Sequence, residues 1–293
     1  NYLNERNQDL KKLPNQLRAF GIIFLPALLI TLQPDPGSAL VYGSLILVLY
    51  QFGLPLYYLV IGFLALLLFV ITLSFGFLNT LIISSVLISG LLGYLMYKNK
   101  KYLRHNWLRF AVTYLVTGFF ILSVDYVFNN VFEQRHRDRF NILLGKDVDD
   151  QGIGYNTAQS VITIGSGGLF GKGLFDGPQT NGRFVPEQQT DFIFTVAGEE
   201  IGFLGCSVIL LLYLLIFIRA FSICRRSNDL FGRLVCIGVI AWFAFQTFEN
   251  IGMTMGLMPM TGVPLPFLSY GGSSMFANLI GVGLLLNVHA RSR

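Results

Sequence analysis

A single carboxylate, Asp191, has surroundings that chemistry at a membrane surface would need. It follows Glu187-Gln188-Gln189-Thr190 and directly precedes a long apolar run. We predict that Thr190 caps a helix here and that Asp191 lies in its first turn, where the helix dipole favours a carboxylate. A good helix start would account for the same residues. A cap does not require an acid at the lip of a long polar loop, however, and this favours a functional Asp191.

A second carboxylate, Asp35, follows Gln33-Pro34 in a turn that contains two prolines. Pro and Asp are ordinary turn residues, so the residue types leave a turn former and a functional acid equally open. An acid at membrane depth normally faces a bundle interior or a water-filled cavity, which favours function. Glu199 and Glu200 lie about 12–13 Å beyond Asp191 along a helix. We predict that they are structural or line a cavity.

The glycine-rich run from Gly165 to Gly173 suggests a phosphate-binding loop but does not match one. Gly is absent five residues before Gly171, and Lys172 is followed by Gly rather than Ser or Thr. A turn that approaches a ligand or membrane surface closely and a plain flexible loop both stay open. Lys172 is the nearest cation for an anionic head group.

Two further segments have ambiguous patterns. Three arginines and a histidine between Arg135 and Arg139 fit either an interfacial anchor or a contact with lipid phosphate. The segment from Asn250 to Ser274 holds three prolines and paired glycines, which predicts a stiff re-entrant or cavity-lining turn. The three histidines are scattered, and this supports neither a catalytic triad nor a histidine metal cluster.

Composition places the chain among integral membrane proteins. Of its 293 residues 53% are hydrophobic and 13% are charged, which excludes an ordinary soluble globule. The net charge of +5 is interpreted as a topology signal, so no nucleic-acid partner is predicted. The three cysteines lie in or beside apolar runs, which supports neither a disulfide framework nor a thiolate metal site. Asn1 is not an initiator methionine and no signal peptide is visible, so we expect a chain that lacks its start.

The elements that must position these side chains are membrane-spanning helices. The pattern predicts an all-α, polytopic transmembrane helix bundle, a single membrane domain over residues 1–293 with about eight spans. The spans are placed near 17–33, 37–53, 57–75, 78–97, 107–128, 190–218, 232–253 and 267–288. Most of the 21 basic residues cluster on one face, which the positive-inside rule makes cytoplasmic. A large loop, about 129–189, then lies outside, and the polar segment Gly152 to Gly205 is expected outside the bilayer core.

Taken together, the motifs resemble the SEDS family (shape, elongation, division and sporulation), whose members polymerise peptidoglycan from lipid II. Four motifs in order carry the resemblance: Gln33-Pro34-Asp35, GYNTAQSVITIGSGGLFGKG at 154–173, PEQQTDFIF at 186–194 with GEEIGFLG following, and PMTGVPLPFLSYGGSS at 259–274. The residues in these motifs are most similar to those of the rod-elongation branch, RodA. The resemblance implies a ten-helix bundle with both ends in the cytoplasm, of which this chain lacks the first two helices.

The resemblance also implies an activity. The chain would be a peptidoglycan glycosyltransferase of the bacterial cytoplasmic membrane, with an outward-facing active site that makes β-1,4-linked strands during cell elongation. Asp191 matches the family's essential loop aspartate, the implied general base, and Asp35 matches its cavity aspartate. Because a pyrophosphate leaves without a general acid, one carboxylate suffices for inverting transfer, unlike the carboxylate pair of a glycosidase. Gln189 stands where the family usually has His.

Substrate, cation and partner follow from the same resemblance. We predict substrate-binding roles for Gln33, Lys172, Gln179, Arg139, Arg183, Glu187, Thr190, Ser269 and Ser273. The developing pyrophosphate charge needs a cation, which would be Lys172, an arginine such as Arg139 or Arg183, or a divalent ion, Mg²⁺ or Mn²⁺. The implied partners are a class B penicillin-binding transpeptidase and other membrane proteins of the elongation machinery.

Two alternatives from other classes stay open. A lipid flippase would need polar groups along a path to both faces, whereas the unusual polar residues here crowd the outer side. A non-catalytic scaffold of the elongation machinery would tolerate conservative changes at Asp191.

Overall fold

The computed structural model describes residues 10–33, 36–98, 100–146 and 153–292, which form helices joined by turns, with no strand among them. In chain order the helices are α1 (Leu13–Thr31), α2 (Pro36–Gly43), α3 (Ile46–Gln51), α4 (Tyr57–Phe75), α5 (Phe77–Lys98), α6 (Lys100–Tyr126), a π-helical turn (Val127–Val131), α7 (Gln134–Leu143), α8 (Ile153–Ser166), α9 (Pro178–Asn181), α10 (Ile193–Arg226), α11 (Leu230–Thr254) and α12 (Gly272–Arg291). The predicted all-α fold class is confirmed.

Seven stretches of these helices are long and apolar enough to cross a membrane. They are Leu13–Thr31, Tyr57–Phe75, Phe77–Tyr94, Phe110–Val131, Ile193–Arg226, Leu230–Thr254 and Gly272–Arg291. Each contains an 18-residue window of high mean hydropathy with at most two charged residues, close to the roughly 20 residues that span a bilayer. The chain is therefore a multi-pass membrane protein, as its composition predicts.

The second predicted span, 37–53, is not one helix long enough to cross. The chain bends between α2 and α3, where the Ser44 hydroxyl donates a hydrogen bond back to the carbonyl of Val41 at 2.7 Å. Such a bond competes with the helical ladder. The apolar stretch Gly37–Gln51 would cover only about 23 Å as a straight helix, which is short of the roughly 30 Å hydrocarbon core.

The contacts divide the chain into two compact units. One consists of Asn1–Leu56 and Val148–Arg293, and the other of Tyr57–Asp147. The prediction of a single domain over residues 1–293 stays a prediction.

The first unit is built around α10 and α11. Buried side chains of α10, α11 and α12 form one apolar cluster around Cys236 and Phe243. A second cluster joins α10 to the segment before α12 through Phe194, Tyr213 and Leu265. The Tyr213 hydroxyl donates a hydrogen bond to the carbonyl of Pro266. These contacts fix α10 against the segment that precedes α12, and the candidate site lies at that junction.

The second unit packs α4, α6 and α7 around a separate apolar cluster. Leu73, Val124 and Phe128 are its buried members, with Phe140 of α7 packed against them. The Lys146 ammonium donates to the carbonyl of Leu73 at 2.7 Å. Arg139 lies on α7 in this unit.

Candidate functional site

Asp191 lies in a tight turn, residues 187–192, that ends where α10 begins. The carbonyl of Glu187 accepts hydrogen bonds from the backbone N–H groups of Thr190 (3.2 Å), Asp191 (3.1 Å) and Phe192 (3.2 Å). The Thr190 hydroxyl donates to the same carbonyl at 3.2 Å, and the N-cap of α10 is Phe192, without a side-chain cap. The prediction that Thr190 caps α10 and puts Asp191 in its first turn is wrong, because the Thr190 hydroxyl bonds within the preceding turn.

One buried amide holds the backbone of Asp191 in place. Asn250 is fully buried in α11, and its Nδ2 donates to the carbonyl of Asp191 at 2.8 Å. The same nitrogen donates to the carbonyl of Val263 at 2.8 Å. Asn250 therefore ties the Asp191 turn to residues 259–271, which we call the proline loop. No local sequence pattern predicts this role for Asn250, because it lies 59 positions from Asp191.

The proline loop makes two more bonds to this turn. Ser269, which is 3% exposed, donates to the carbonyl of Thr190 at 2.6 Å and accepts from the backbone N–H of Leu265 at 2.8 Å. The N–H of Tyr270 donates to the carbonyl of Gln189 at 2.9 Å. Three consecutive carbonyls, from residue 189 to residue 191, are thus fixed by α11 and the proline loop. The backbone that carries the Asp191 side chain is therefore held in one position before any substrate binds.

The carboxylate of Asp191 faces the proline loop at Gly262. Gly262 has φ +76°, and a Cβ built there would lie 3.4 Å from Asp191 Oδ2. The next residue back, Thr261, donates its hydroxyl to the buried Glu249 at 3.1 Å. Gly37 at the start of α2 packs so closely that a Cβ would lie 2.3 Å from the Thr261 carbonyl oxygen. The segment that carries Asp191 and the start of α2 therefore meet at one short stretch of the proline loop.

Glu199 organises the loop on the other side of α10. Its side chain is fully buried and forms an ion pair of 2.9 Å with Lys172. The carboxylate also accepts from the backbone N–H groups of Gln179 (3.1 Å) and Thr180 (2.8 Å) and from the Thr180 hydroxyl (2.7 Å). The acid is thus paired and hydrogen-bonded, as burial of a charge requires. Its predicted structural role fits these contacts.

The ion pair leads to a stability prediction. Lys172→Met is expected to lower the free energy of unfolding by about 1–3 kcal/mol. The change removes the partly exposed ammonium of Lys172 and leaves the buried Glu199 carboxylate without its cation. Adding Glu199→Gln is expected to recover part of this loss, since the amide carries no charge to compensate. Thermal unfolding of the parent, both single variants and the double variant in detergent measures the coupling. Losses that simply add would show that the pair contributes nothing.

The glycine-rich loop, residues 167–177, forms hydrogen bonds with the backbone of α10 where that helix is interrupted. Gly202 adopts φ 65° and ψ −167°, a conformation that is essentially restricted to glycine and interrupts the helical ladder. The N–H groups of Lys172 and Gly173 donate to the carbonyls of Glu199 (2.9 Å) and Glu200 (3.1 Å). In return, the N–H groups of residues 203 and 204 donate to the carbonyls of residues 168 (2.9 Å) and 169 (3.1 Å). The loop therefore supplies the partners that an unbroken helix would supply internally.

Glycine is needed wherever these backbones touch. A Cβ on Gly202 would lie 2.2 Å from the backbone nitrogen of Gly171, and a Cβ on Gly171 would lie 2.1 Å from the carbonyl oxygen of Glu200. A Cβ on Gly167 would lie 2.0 Å from the carbonyl oxygen of Gly198. The sequence leaves open a turn that approaches a ligand or membrane surface closely and a plain flexible loop. The close approach that the structure shows is to the backbone of α10.

The other predicted site residues lie at several places. Gln179 is in α9, where its Oε1 accepts from Gln159 at 2.5 Å. Arg183 is exposed between α9 and the Asp191 turn, with φ 51°. Gln33 is exposed after the end of α1, and Ser273 is exposed in the first turn of α12. Asp35 lies outside the described residues, and its role stays a prediction.

A divalent cation is not assigned to this site. Among residues 10–33, 36–98, 100–146 and 153–292, no group of three or more His, Cys, Asp or Glu side chains converges as metal ligands would. The Mg²⁺ or Mn²⁺ that the sequence suggests as one source of positive charge stays a prediction. The arrangement does supply the carboxylate of Asp191 on a rigid turn, which suits proton abstraction from a bound hydroxyl group.

Comparison with known proteins identifies relatives along most of the chain. A family model described as "Cell cycle protein", FTSW_RODA_SPOVE, matches residues 84–293. The peptidoglycan glycosyltransferase RodA of Treponema pallidum (strain Nichols) is 38% identical over 300 residues, covering 94% of this chain and 67% of that protein. The peptidoglycan glycosyltransferase MrdB of Escherichia coli (strain K12) is 42% identical over 157 residues, covering 54% of this chain and 42% of that protein.

A solved structure extends the similarity to the fold. It concerns the structural coordination of polymerization and crosslinking by a peptidoglycan synthase complex, and it matches 99% of this chain with a TM-score of 0.63 and 25% identity. The match covers 65% of the other chain. This chain thus spans about two thirds of the Treponema relative and of the solved chain.

Proposed function

The chain belongs to the FtsW, RodA and SpoVE family of cell cycle proteins, and we propose that it is a peptidoglycan glycosyltransferase that joins lipid II into β-1,4-linked glycan strands. Family membership confirms the resemblance drawn from the four motifs. The observation that carries the catalytic proposal is the fixed Asp191 turn, whose three carbonyls are bound by Asn250, Ser269 and Tyr270.

The proposed reaction needs one base. Asp191 accepts the proton of the acceptor 4-hydroxyl as that oxygen attacks the anomeric carbon of the donor sugar. The bond from this carbon to the pyrophosphate breaks at the same time, and the polyprenyl pyrophosphate leaves with the electron pair. No proton has to be given to such a leaving group, so a single carboxylate suffices. Attack from the face opposite the leaving group inverts the α-linked donor into a β-linked strand.

The negative charge that develops on the pyrophosphate calls for a cation nearby. Lys172 is the weaker candidate, because its ammonium is already paired with Glu199 at 2.9 Å. Arg183 is exposed on the segment that leads into the Asp191 turn, and we favour it. Its guanidinium could bind a phosphate through two parallel hydrogen bonds.

The membrane setting follows the same proposal. The protein lies in the bacterial cytoplasmic membrane with the Asp191 turn on the outer face, where lipid II presents its sugars. A class B penicillin-binding transpeptidase is the proposed partner that crosslinks the new strand. The match to a complex that coordinates polymerization and crosslinking supports this pairing.

Polymerisation is tested with purified full-length protein in vesicles that contain fluorescent lipid II. We expect a ladder of strands on a gel that disappears after digestion with a muramidase. A folded protein that forms no ladder, alone or with the transpeptidase, would overturn the proposal in favour of a scaffold. Movement of lipid II across the bilayer without strands would point to a flippase.

Ser269→Ala tests whether the proline loop positions Asp191. The change removes the bond to the Thr190 carbonyl and leaves the Leu265 N–H without an acceptor, so the turn loses one of its three anchors. We expect kcat for strand synthesis to fall by about 10-fold or more with KM nearly unchanged, since a misplaced base slows chemistry rather than binding.

The matched control is Ser222→Ala, because this hydroxyl bonds only to the Ile218 carbonyl on the same helix, at 2.8 Å. Both variants should be compared at a temperature where each is folded. Equal kcat values in the two variants would show that Ser269 has no part in positioning Asp191.

A further inference from the structure

The glycine-rich loop presents an unusual amount of apolar surface. Leu169, Phe170, Leu174 and Phe175 are 62%, 79%, 65% and 81% exposed, respectively. Four large apolar side chains within seven residues form the kind of patch that marks a contact with a membrane or a protein. None of these four side chains takes part in the hydrogen bonds that hold the loop to α10, which come from backbone atoms and from the Lys172–Glu199 ion pair.

Helix α8, which leads into this loop, buries polar side chains and exposes apolar ones. Two of its small polar residues are buried: Ser160 bonds with Thr195 at 2.5 Å and with the Thr254 carbonyl at 2.8 Å, and Thr163 is 1% exposed. Two of its apolar side chains, Val161 and Ile162, point outward and are about half exposed, whereas Ile164 packs against α10. A helix that faces water has the opposite arrangement.

The exposed surface of the loop continues onto the lipid-facing surface of α10. Backbone bonds from Phe203 to Gly168 (2.9 Å) and from Leu204 to Leu169 (3.1 Å) hold the two segments side by side. Phe203 and Leu204 are themselves largely exposed and belong to the candidate span Ile193–Arg226. The apolar patch is therefore an extension of a membrane-spanning surface.

The length of α10 gives the depth of this contact. Beyond the break at Gly202, residues 203–226 of α10 form 24 residues of helix, or about 36 Å, which exceeds the roughly 30 Å hydrocarbon core. Its first basic residue is Arg219, which belongs at one membrane boundary. Phe203 lies about 24 Å back along the helix, so it is still within the core of the opposite leaflet. The loop beside it reaches the same depth.

Irregular backbone is tolerated at that depth only where its polar groups are paired. The reciprocal bonds between residues 168–173 and residues 199–204 supply such pairing. The charge of Lys172 is paired as well, by Glu199. These pairings remove the physical reason for expecting the whole segment Gly152 to Gly205 outside the bilayer core.

We propose that α8 and the glycine-rich loop form a re-entrant wedge in the leaflet where α10 begins, with Leu169, Phe170, Leu174 and Phe175 bound among phospholipid acyl chains. The 14 residues of α8 cover about 21 Å, too short to cross but typical of a re-entrant segment. Through Glu199, the wedge fixes the depth of α9 and of the loop beyond it. The wedge does not depend on the catalytic role of Asp191.

Site-specific fluorescence tests the wedge in the full-length protein in phospholipid nanodiscs, where both faces are open to solution. Phe170→Cys and Leu174→Cys are each labelled with the fluorophore NBD, with Pro186→Cys as the control, an exposed position beyond α9. The native cysteines Cys206, Cys224 and Cys236 are buried, and the parent protein gives the labelling background. Equal thermal midpoints would confirm that the labelled proteins are folded.

We expect aqueous dithionite to reduce the label at Phe170 and Leu174 at least about 10-fold more slowly than at Pro186, because insertion at the acyl boundary shields the fluorophore. Lipids with a doxyl group on the acyl chain should quench these two labels and not the control. Reduction at the control rate, or no quenching by doxyl lipid at either position, would overturn the wedge and leave the patch as a protein-binding surface. Because two loop positions are tested, failure of one variant to fold leaves the proposal falsifiable.

Discussion

Asp191→Asn is expected to reduce glycan-strand synthesis by about 10²–10⁴-fold, the range that a general base contributes, with little change in thermal stability. Asn keeps the size of the side chain but cannot accept the proton of the acceptor hydroxyl. The turn should survive, because Asn250 binds the backbone carbonyl of residue 191 rather than its carboxylate. The measurement is the initial rate of strand formation from fluorescent lipid II, with lipid II binding measured in parallel.

Asp176→Asn is the matched control for this change. Asp176 is an exposed carboxylate in the glycine-rich loop and has no assigned part in catalysis, so its amide variant should keep the parent rate. An Asp191→Asn protein that makes strands at the parent rate would refute the general-base assignment. The search for the base would then move to Asp35.

Gly202→Ala is expected to have the largest effect on stability, a loss of more than about 3 kcal/mol in the free energy of unfolding. The backbone at φ 65° and ψ −167° strains any residue with a Cβ. The added methyl group would also lie 2.2 Å from the nitrogen of Gly171. Relief of that clash would separate the glycine-rich loop from α10 and leave the carbonyls of Glu199 and Glu200 without partners. Thermal unfolding in detergent and the yield of monodisperse protein measure the effect.

Gly283→Ala in α12 is the matched control. A Cβ there meets nothing within 4 Å and the residue has no positive φ, so alanine should be neutral or slightly stabilising in the helix. Similar thermal midpoints for the two variants would contradict the close packing between the loop and α10.

The helical architecture could be predicted because the local composition of each segment determines whether it can span a membrane. A membrane span needs about 20 apolar residues regardless of its neighbours, so seven of the eight predicted spans overlap the observed ones and α4 coincides with its predicted bounds, 57–75. The largest difference is at α10, which continues to Arg226, eight residues past its predicted end. The α2–α3 segment is the exception. Its bend depends on the Ser44 hydroxyl, which average hydrophobicity does not register.

The candidate site was predictable only in part, because its contacts join distant residues. The motifs located Asp191, but the residues that hold its turn come from α11 and the proline loop, 59 to 81 positions further along the chain. Thr190 was assigned to a helix cap from its position, since a sequence does not show that its hydroxyl bonds to Glu187. Lys172 and Glu199 were considered separately for the same reason, since the two paired residues lie 27 positions apart in the chain.

The glycine-rich loop shows how a correct pattern can be interpreted too narrowly. Its polarity and glycines predict an irregular segment, and irregular backbone is normally excluded from the bilayer core. Because the helical hydrogen bonds of α10 are interrupted, its free carbonyl and N–H groups can pair with the backbone of the loop. The local sequence of the loop does not predict these partners. A loop that would be unstable in lipid alone is paired, residue by residue, against residues 199–204.

The most direct measurement of the proposed function counts polyprenyl pyrophosphate released against β-1,4 bonds formed when the purified full-length protein is given lipid II. Direct inverting transfer predicts one pyrophosphate for each bond, a product that a muramidase cleaves, and the loss of both signals together in Asp191→Asn. Lipid II that crosses the bilayer of a vesicle with no pyrophosphate release, equally in the parent and in Asp191→Asn, would contradict the glycosyltransferase assignment.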